Sequence, residues 1–330
     1  MSRIAILGAG AWGTALALSL ARRGGHTITL WSHSEPLAEQ LTETGENLQY
    51  LPGYMLPFDI RVTADVVAAI FEAEIVVLVT PSEHLRAVFT QVAPALDRDQ
   101  IIVSATKGLE EASLLRMSQV IASIADNACC VLSGPSFAAE VAAGIPTAIV
   151  AASAAPGVAQ RVQKEFSSPT LRLYTNDDVA GVELGGALKN VIALAAGVVN
   201  GLELGHNAAA ALITRGIAEI TRLAVACGGR TQTLAGLSGL GDLVLTCTGS
   251  LSRNRTVGTE LGRGRALPEI LAGLNGKVAE GVRSTIAALG LAARYGVEMP
   301  ITEQMEAILH RGKRPKDAIR ELMSRPGRDE

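Results

Sequence analysis

The stretch "IAILGAGAWGTALALSLARRGGHTITLW", residues 4–31, decides the fold. Ile4–Leu7 is a short apolar run of the kind that forms a strand buried on both faces. Gly8-Ala9-Gly10-Ala11-Trp12-Gly13 follows at once. A helical pattern then begins, with Leu16, Ala17 and Leu20 on one side, and stops at Gly24-Gly25. "TITLW" supplies a second strand. Strand, glycine turn, helix and strand are the setting in which this glycine spacing carries meaning. Gly8 permits the tight turn, Gly10 lets a pyrophosphate approach the backbone, and Gly13 lets helix and strand pack closely. The helix N-terminus adds free N–H groups and a partial positive charge for phosphates. The expectation is a dinucleotide-binding α/β unit.

Further strands are expected at "AEIVVLVT", "QIIVSAT", "ACCVLS", "TAIVAA" and "LRLYT", most of them parallel because helical patterns separate several of them. Ligands of open α/β sheets bind beyond the carboxyl ends of strands. That rule selects Pro81-Ser82, Lys107-Gly108 and Gly134-Pro135-Ser136. Lys107 places a cation beside the expected cofactor phosphates. The second strand ends at Trp31-Ser32-His33-Ser34, and Glu35 comes only later. No acid stands at the tip to bind a ribose 2′-hydroxyl and repel a 2′-phosphate. NADP(H), or use of both NADP(H) and NAD(H), therefore fits better than strict NAD.

The whole chain narrows the function classes. Of its 330 residues, 48% are hydrophobic and 18% charged, which suits a globular protein with room for two domains. A net charge of −3 with scattered basic residues gives no field for nucleic acid or an anionic membrane. Aromatics at 3% argue against base-stacking platforms. Cys129, Cys130, Cys227 and Cys247 fit no zinc or redox spacing, no metal site is expected, and the thiols read as reduced. The N-terminus resembles a secretory signal in having Arg3 before an apolar run, but its glycines make a poor membrane-inserting helix. No segment reaches the roughly 18 uninterrupted apolar residues of a spanning helix. The expectation is a soluble, cytoplasmic protein.

After Asn176-Asp177-Asp178, which reads as a helix start, no strand series follows. A dinucleotide-binding domain over residues 1–180 and an all-α domain over residues 181–330 are expected. Within "VELGGALKNVIALAAGVVNG", residues 182–201, Lys189 and Asn190 sit in an apolar helix. Gly185, Gly186, Ile192 and Ala193 share the face of Lys189, so another backbone or a flat ligand can come close. A buried lysine needs a partner. Asp242, after the glycine-rich "GLSGLG", offers one, with Thr246 a helical turn further on. Ser252, Arg253, Asn254 and Arg255 then form a compact set for a phosphate or carboxylate, because guanidinium groups grip planar anions in a bidentate way.

Together these segments resemble the bacterial-type NAD(P)-dependent glycerol-3-phosphate dehydrogenases. The matches are "GAGAWGTALA", "ATKGLE", "LSGPSFAAEV", "ELGGALKNVIALAAG", "AALITRGIAEI", "GLSGLGDLVLTCTGSLSRNR" and "AEGVRST", with "MPITEQMEAIL" as a weaker tail match. The resemblance implies reversible reduction of dihydroxyacetone phosphate to sn-glycerol 3-phosphate for glycerophospholipid synthesis. It implies Lys189 as acid/base and substrate contacts at Lys107, Gly134, Ser136, Asp242, Ser252, Arg253 and Asn254. It implies cofactor contacts at Trp12, His33, Lys107, Ala138, Arg253, Val278 and Glu280. The family often has serine where this chain has Ala11, so a hydroxyl contact to the cofactor is absent here while the backbone N–H stays.

On this reading Lys189 protonates the carbonyl oxygen, Asp242 opposes the effect of desolvation on the ammonium, and Arg253, Ser252 and Asn254 hold the phosphate. Lys107 and Asn190 orient the substrate and Lys189. Lys189 is expected where the two domains meet, facing the carboxyl edge of the sheet. Two other readings stand beside it. One is a β-hydroxyacid-type NADP reductase acting on a carboxylate; the other is a non-catalytic dinucleotide sensor. A homodimer is expected from the apolar helical half.

Overall fold

The computed structural model describes residues 2–273 and 279–327. Ten strands lie in residues 2–176: β1 Ser2–Leu7, β2 His26–Trp31, β3 Glu46–Asn47, β4 Leu51–Met55, β5 Ile60–Thr63, β6 Ile75–Leu78, β7 Ile101–Ser104, β8 Cys129–Ser133, β9 Thr147–Ala152 and β10 Leu171–Asn176. Eight of them form one sheet in the order β10-β9-β8-β7-β6-β1-β2-β5, while β3 and β4 make a separate antiparallel ribbon. The central strands are apolar throughout because both faces are covered. Ile4 and Ile6 of β1 pack in one core with Leu16 and Leu20 of the helix Ala11–Arg23. Ala5 and Leu7 pack in the other with Leu85, Phe89 and Val92 of the helix Ser82–Val92.

All the strands read from the sequence are present, and within the eight-stranded sheet neighbouring pairs are parallel except β8 with β9. That reversal turns β9 and β10 over. Their carboxyl ends therefore leave the edge where β1, β2, β6, β7 and β8 finish. The segments after β6, β7 and β8, which carry Ser82, Lys107 and Ser136, stay on the edge that bears the glycine turn. The ribbon and β5 escape a reading by periodicity. β4 contains Pro52-Gly53, and β5 is only four residues long.

The chain divides into two units, Met1–Glu110 with Leu115–Glu183, and Glu111–Leu114 with Leu184–Glu330. The division on the C-terminal side thus falls inside the helix Val179–Gly201. That helix starts where the acidic and amide side chains suggest. Asn176 Oδ1 accepts from Asp178 N at 2.8 Å, and Asp178 Oδ1 accepts from Gly181 N at 2.8 Å. By length and composition it could cross a membrane, but its most apolar 18-residue stretch is buried within the protein and serves as a core helix.

Among the described residues, every regular element beyond Asn176 is helical. One crossing there locates the candidate site. A Cβ on Gly197 would lie 2.1 Å from Arg255 O, and one on Gly258 would lie 2.0 Å from Leu194 O. Gly201 and Gly262 repeat the contact one turn on, with 2.1 Å to Thr259 O and 2.6 Å to Val198 O. Two glycines spaced by four on each helix let Val179–Gly201 and Arg253–Gly262 meet backbone to backbone, as they could not with any larger side chain. Elsewhere in this unit Glu219 is buried and accepts from Ile301 N and Thr302 N, both at 2.9 Å, so a side chain from another helix caps Pro300–His310.

Candidate active site

In the first unit the three glycines of the loop do three different things. Gly8 has φ +133°, a region that favours glycine, and its N–H donates to Trp31 O at 3.1 Å. A Cβ on Gly13 would sit 1.9 Å from Gly8 O, so only glycine allows this contact between turn and helix. Around Gly10 there is nothing within 4 Å of where a Cβ would be. The helix that starts there has no side-chain cap, which leaves its first N–H groups for an outside acceptor. The cradle fits a dinucleotide pyrophosphate. Ala11 and Trp12 are half-buried at its rim. His33 is exposed just past β2, and Ser34 caps the next helix by accepting from Leu37 N at 3.4 Å. Ala138 opens the helix Ala138–Ala142 and packs on the same core as Ala11 and Trp12.

Three further expected residues converge at the ends of β7 and β8. Lys107 Nζ and Ser136 Oγ each donate to Gly134 O at 3.0 Å. Lys107 is half-buried, so its ammonium is not merely a solvated loop charge. Gly134 has φ +137° and presses against Ile149, where a Cβ would meet Cα at 3.0 Å. One residue here was not anticipated. Glu183 lines the same small pocket as Lys107 and Ser133, and it is buried. Its carboxylate accepts from Ser118 N at 2.8 Å, from Ser118 Oγ at 2.6 Å and from the Arg116 guanidinium. An acid four residues into an apolar helix was the available signal.

In the second unit Lys189 is 8% exposed and its Nζ donates to Asp242 Oδ1 at 2.5 Å and to Thr246 Oγ1 at 2.8 Å. Thr246 in turn donates to Asp242 O at 2.6 Å, which commits its proton and turns a lone pair toward the ammonium. The segment before Asp242 is a π-helical turn, Leu237–Gly241, rather than an open glycine loop. The small face of the long helix admits it. A Cβ on Gly185 would lie 2.5 Å from Ser238 O. Ile192, on that same face, fills the space over Gly216. Cys247 follows Thr246, and burial pushes its thiol up to about 12, so it stays a thiol at neutral pH.

Asn190 Nδ2 donates to Glu280 Oε2 at 3.2 Å. Asn254 Oδ1 accepts from Gly281 N at 3.0 Å. Two expected site residues thereby grip the start of the helix Glu280–Tyr295. Ser252 is buried and caps Arg253–Gly262, its Oγ accepting from Arg255 N at 3.2 Å. Arg253 is exposed at the first position of that helix, whereas Arg255 Nη2 turns to Asn200 Oδ1 at 3.4 Å. Val278, the remaining expected cofactor residue, lies outside the described residues.

A glycine cradle on a largely parallel sheet, with a helical unit that carries a buried lysine–carboxylate pair, defines the class of nicotinamide-dependent dehydrogenases built from two units. The comparisons with known proteins narrow this. Residues 3–159 match the family model described as NAD-dependent glycerol-3-phosphate dehydrogenase N-terminus, and residues 178–320 match its C-terminus counterpart. The chain belongs to the NAD-dependent glycerol-3-phosphate dehydrogenase family, and its cofactor is NAD(P)(H). It is 62% identical to glycerol-3-phosphate dehydrogenase [NAD(P)+] of Acidobacterium capsulatum, with all of both chains covered. It is 59% identical to the protein of that name from Koribacter versatilis, covering 100% of this chain and 99% of the relative. The crystal structure of glycerol-3-phosphate dehydrogenase from Coxiella burnetii is similar at a TM-score of 0.94 and 41% identity, with 98% of this chain and 99% of that one covered.

Proposed function

We propose that this protein catalyses reversible NAD(P)H-dependent reduction of dihydroxyacetone phosphate to sn-glycerol 3-phosphate, the backbone donor of glycerophospholipids. The observation that carries the catalytic assignment is the Lys189 ammonium held between Asp242 and Thr246 in a largely apolar helix. Reduced nicotinamide supplies a hydride when bound. Lys189 gives a proton to the carbonyl oxygen as that carbon is reduced, and takes the proton back from the alcohol in reverse. Asp242 balances the ammonium charge, and Thr246 fixes its direction. Asn190 and Glu280 hold each other and set the wall beside Lys189.

Substrate phosphate is assigned to Arg253, to the Ser252 hydroxyl, and to the Asn254 amide, at the start of a ten-residue helix whose N-terminal charge adds to theirs. Remote phosphate binding then helps to hold the carbonyl in place for reduction. Lys107, with Gly134 and Ser136, orients the substrate from the sheet edge. Gly8, Gly10, Ala11, Trp12, Gly13, His33, Ala138, Arg253, Val278 and Glu280 are assigned to the cofactor. Apart from Arg253, Val278 and Glu280, the residues assigned to the cofactor lie in residues 1–180, and Lys189 with its partners lies in residues 181–330. The same proposal includes a cytoplasmic enzyme acting as a homodimer, which sedimentation of the purified protein tests.

The deciding assay follows loss of reduced-nicotinamide absorbance with dihydroxyacetone phosphate, beside a ketone that carries a carboxylate in place of the phosphate. Turnover of the phosphate ketone alone supports the proposal. Preference for the carboxylate ketone makes the protein a different reductase, and cofactor binding with no turnover of either makes it a sensor.

A further inference from the structure

Asn47 is fully buried in the two-residue strand β3, outside every motif that marks the family resemblance. Its side chain uses all of its polar atoms. Nδ2 donates to Ala9 O at 2.9 Å and to Thr14 Oγ1 at 2.8 Å, while Oδ1 accepts from Tyr50 N at 3.0 Å. Ala9 lies between the first two glycines of the loop, and Thr14 is in the first turn of the helix that follows. The Tyr50 bond ties Asn47 into its own ribbon, and Leu51 of β4 anchors the ribbon in the core beneath.

We infer that Asn47 is a positioning residue for the cofactor, setting the peptide plane of the phosphate cradle; this rests on reading the glycine loop as the NAD(P) site. The peptides of the described chain are trans, so the Ala9 carbonyl and the Gly10 N–H point in opposite directions. With the carbonyl drawn inward to Asn47, the Gly10 N–H is turned away from it, at the one loop glycine with open space around it. Gly8 is held by Trp31 O and Thr14 N by Gly10 O. Among the side-chain bonds of the described residues, Asn47 alone reaches the backbone between those two fixed points. A cradle fixed before the ligand arrives loses less entropy on binding than one that must be ordered by it.

The test is titration of the full-length protein with NADPH, read by the emission of Trp12 and Trp31, the two tryptophans of the chain. Asn47→Ala should weaken NADPH about tenfold or more, the consequence of an unpaired buried carbonyl. Asn47→Asp should do the same without leaving a cavity, because it sets a carboxylate oxygen against Ala9 O. Thr14→Val removes one of the two bonds and should give a smaller loss. Turnover at saturating cofactor and KM for dihydroxyacetone phosphate should stay within about twofold, since a positioned cradle changes binding and not the chemical step. The inference is overturned if Kd stays near wild type in Asn47→Ala and Asn47→Asp, or if KM for the ketone rises in step with Kd. If Asn47→Ala does not fold, Asn47→Asp and Thr14→Val decide it. A wild-type protein that binds NADPH without reducing the ketone would sink the proposed reaction, yet the Kd comparison would still judge Asn47.

Discussion

Lys107 and Lys189 were both expected to be active-site cations, and their surroundings differ. Lys107 is half-buried and donates to a backbone carbonyl, Gly134 O. Lys189 is buried in a helix and bonded to the Asp242 carboxylate and the Thr246 hydroxyl. Burying a full charge is costly, and at Lys189 the Asp242 carboxylate offsets that cost. The first site suits a lysine that holds and orients a ligand. The second suits one that carries a proton out of contact with bulk water.

The sharpest break of this comparison is Lys189→Met beside Lys107→Met. Lys189→Met should lower kcat by about a thousandfold, within the range of a lost general acid, and leave NADPH affinity near wild type. Lys107→Met should cost about tenfold and act mainly through KM for the ketone. Steady-state kinetics with a parallel fluorescence titration checks both. Equal losses in kcat would erase the distinction between the two lysines.

Stability separates the units next. Gly258→Ala would force a Cβ to 2.0 Å from Leu194 O, so the two helices must part. The expected cost is about 3 kcal/mol, at the upper end for overpacking, measured by urea unfolding. In the first unit the probe is pH. Burial, with the nearby Arg23 guanidinium, holds the His26 imidazole below its ordinary value of 6.5. The folded state thus prefers neutral His26. Its contribution is present above the unfolded value and is lost as pH falls through the lower folded one. Thermal melts from pH 7.5 to about 5 should show this small loss, and His26→Gln should flatten it. A melting curve with the same pH slope in both proteins would locate the titration elsewhere.

Much of the site was legible because its signals are local. Gly8, Gly10 and Gly13 announce a cradle through spacing, and Lys189 stands out because nothing else in its helix is charged nearby. Asp242 was legible as a partner only through its glycine-rich setting and the family resemblance, since fifty-three positions separate it from Lys189. Asn47 and Glu219 carry no such signal, and Glu183 shows only as an acid near the start of an apolar helix. Each of Glu183, Asn47 and Glu219 is a common polar residue whose role comes from hydrogen-bond partners far along the chain, 65, 38 and 82 positions away. The glycine pairs at 197/201 and 258/262 were visible as letters, but each pair means close packing only against the other.

The sequence by itself determined the strand–glycine–helix opening, the change to an all-helical second half, the family, and the residues proposed for the chemistry. These follow from periodicity, backbone freedom and the cost of buried charge, which act over a few residues at a time. Tertiary structure alone decided that Lys189 meets Asp242 and Thr246, that β9 and β10 run backward, and that a ribbon asparagine reaches the glycine loop. Hydrogen bonds and close packing act over about 3 Å, and only the folded chain brings distant positions that near.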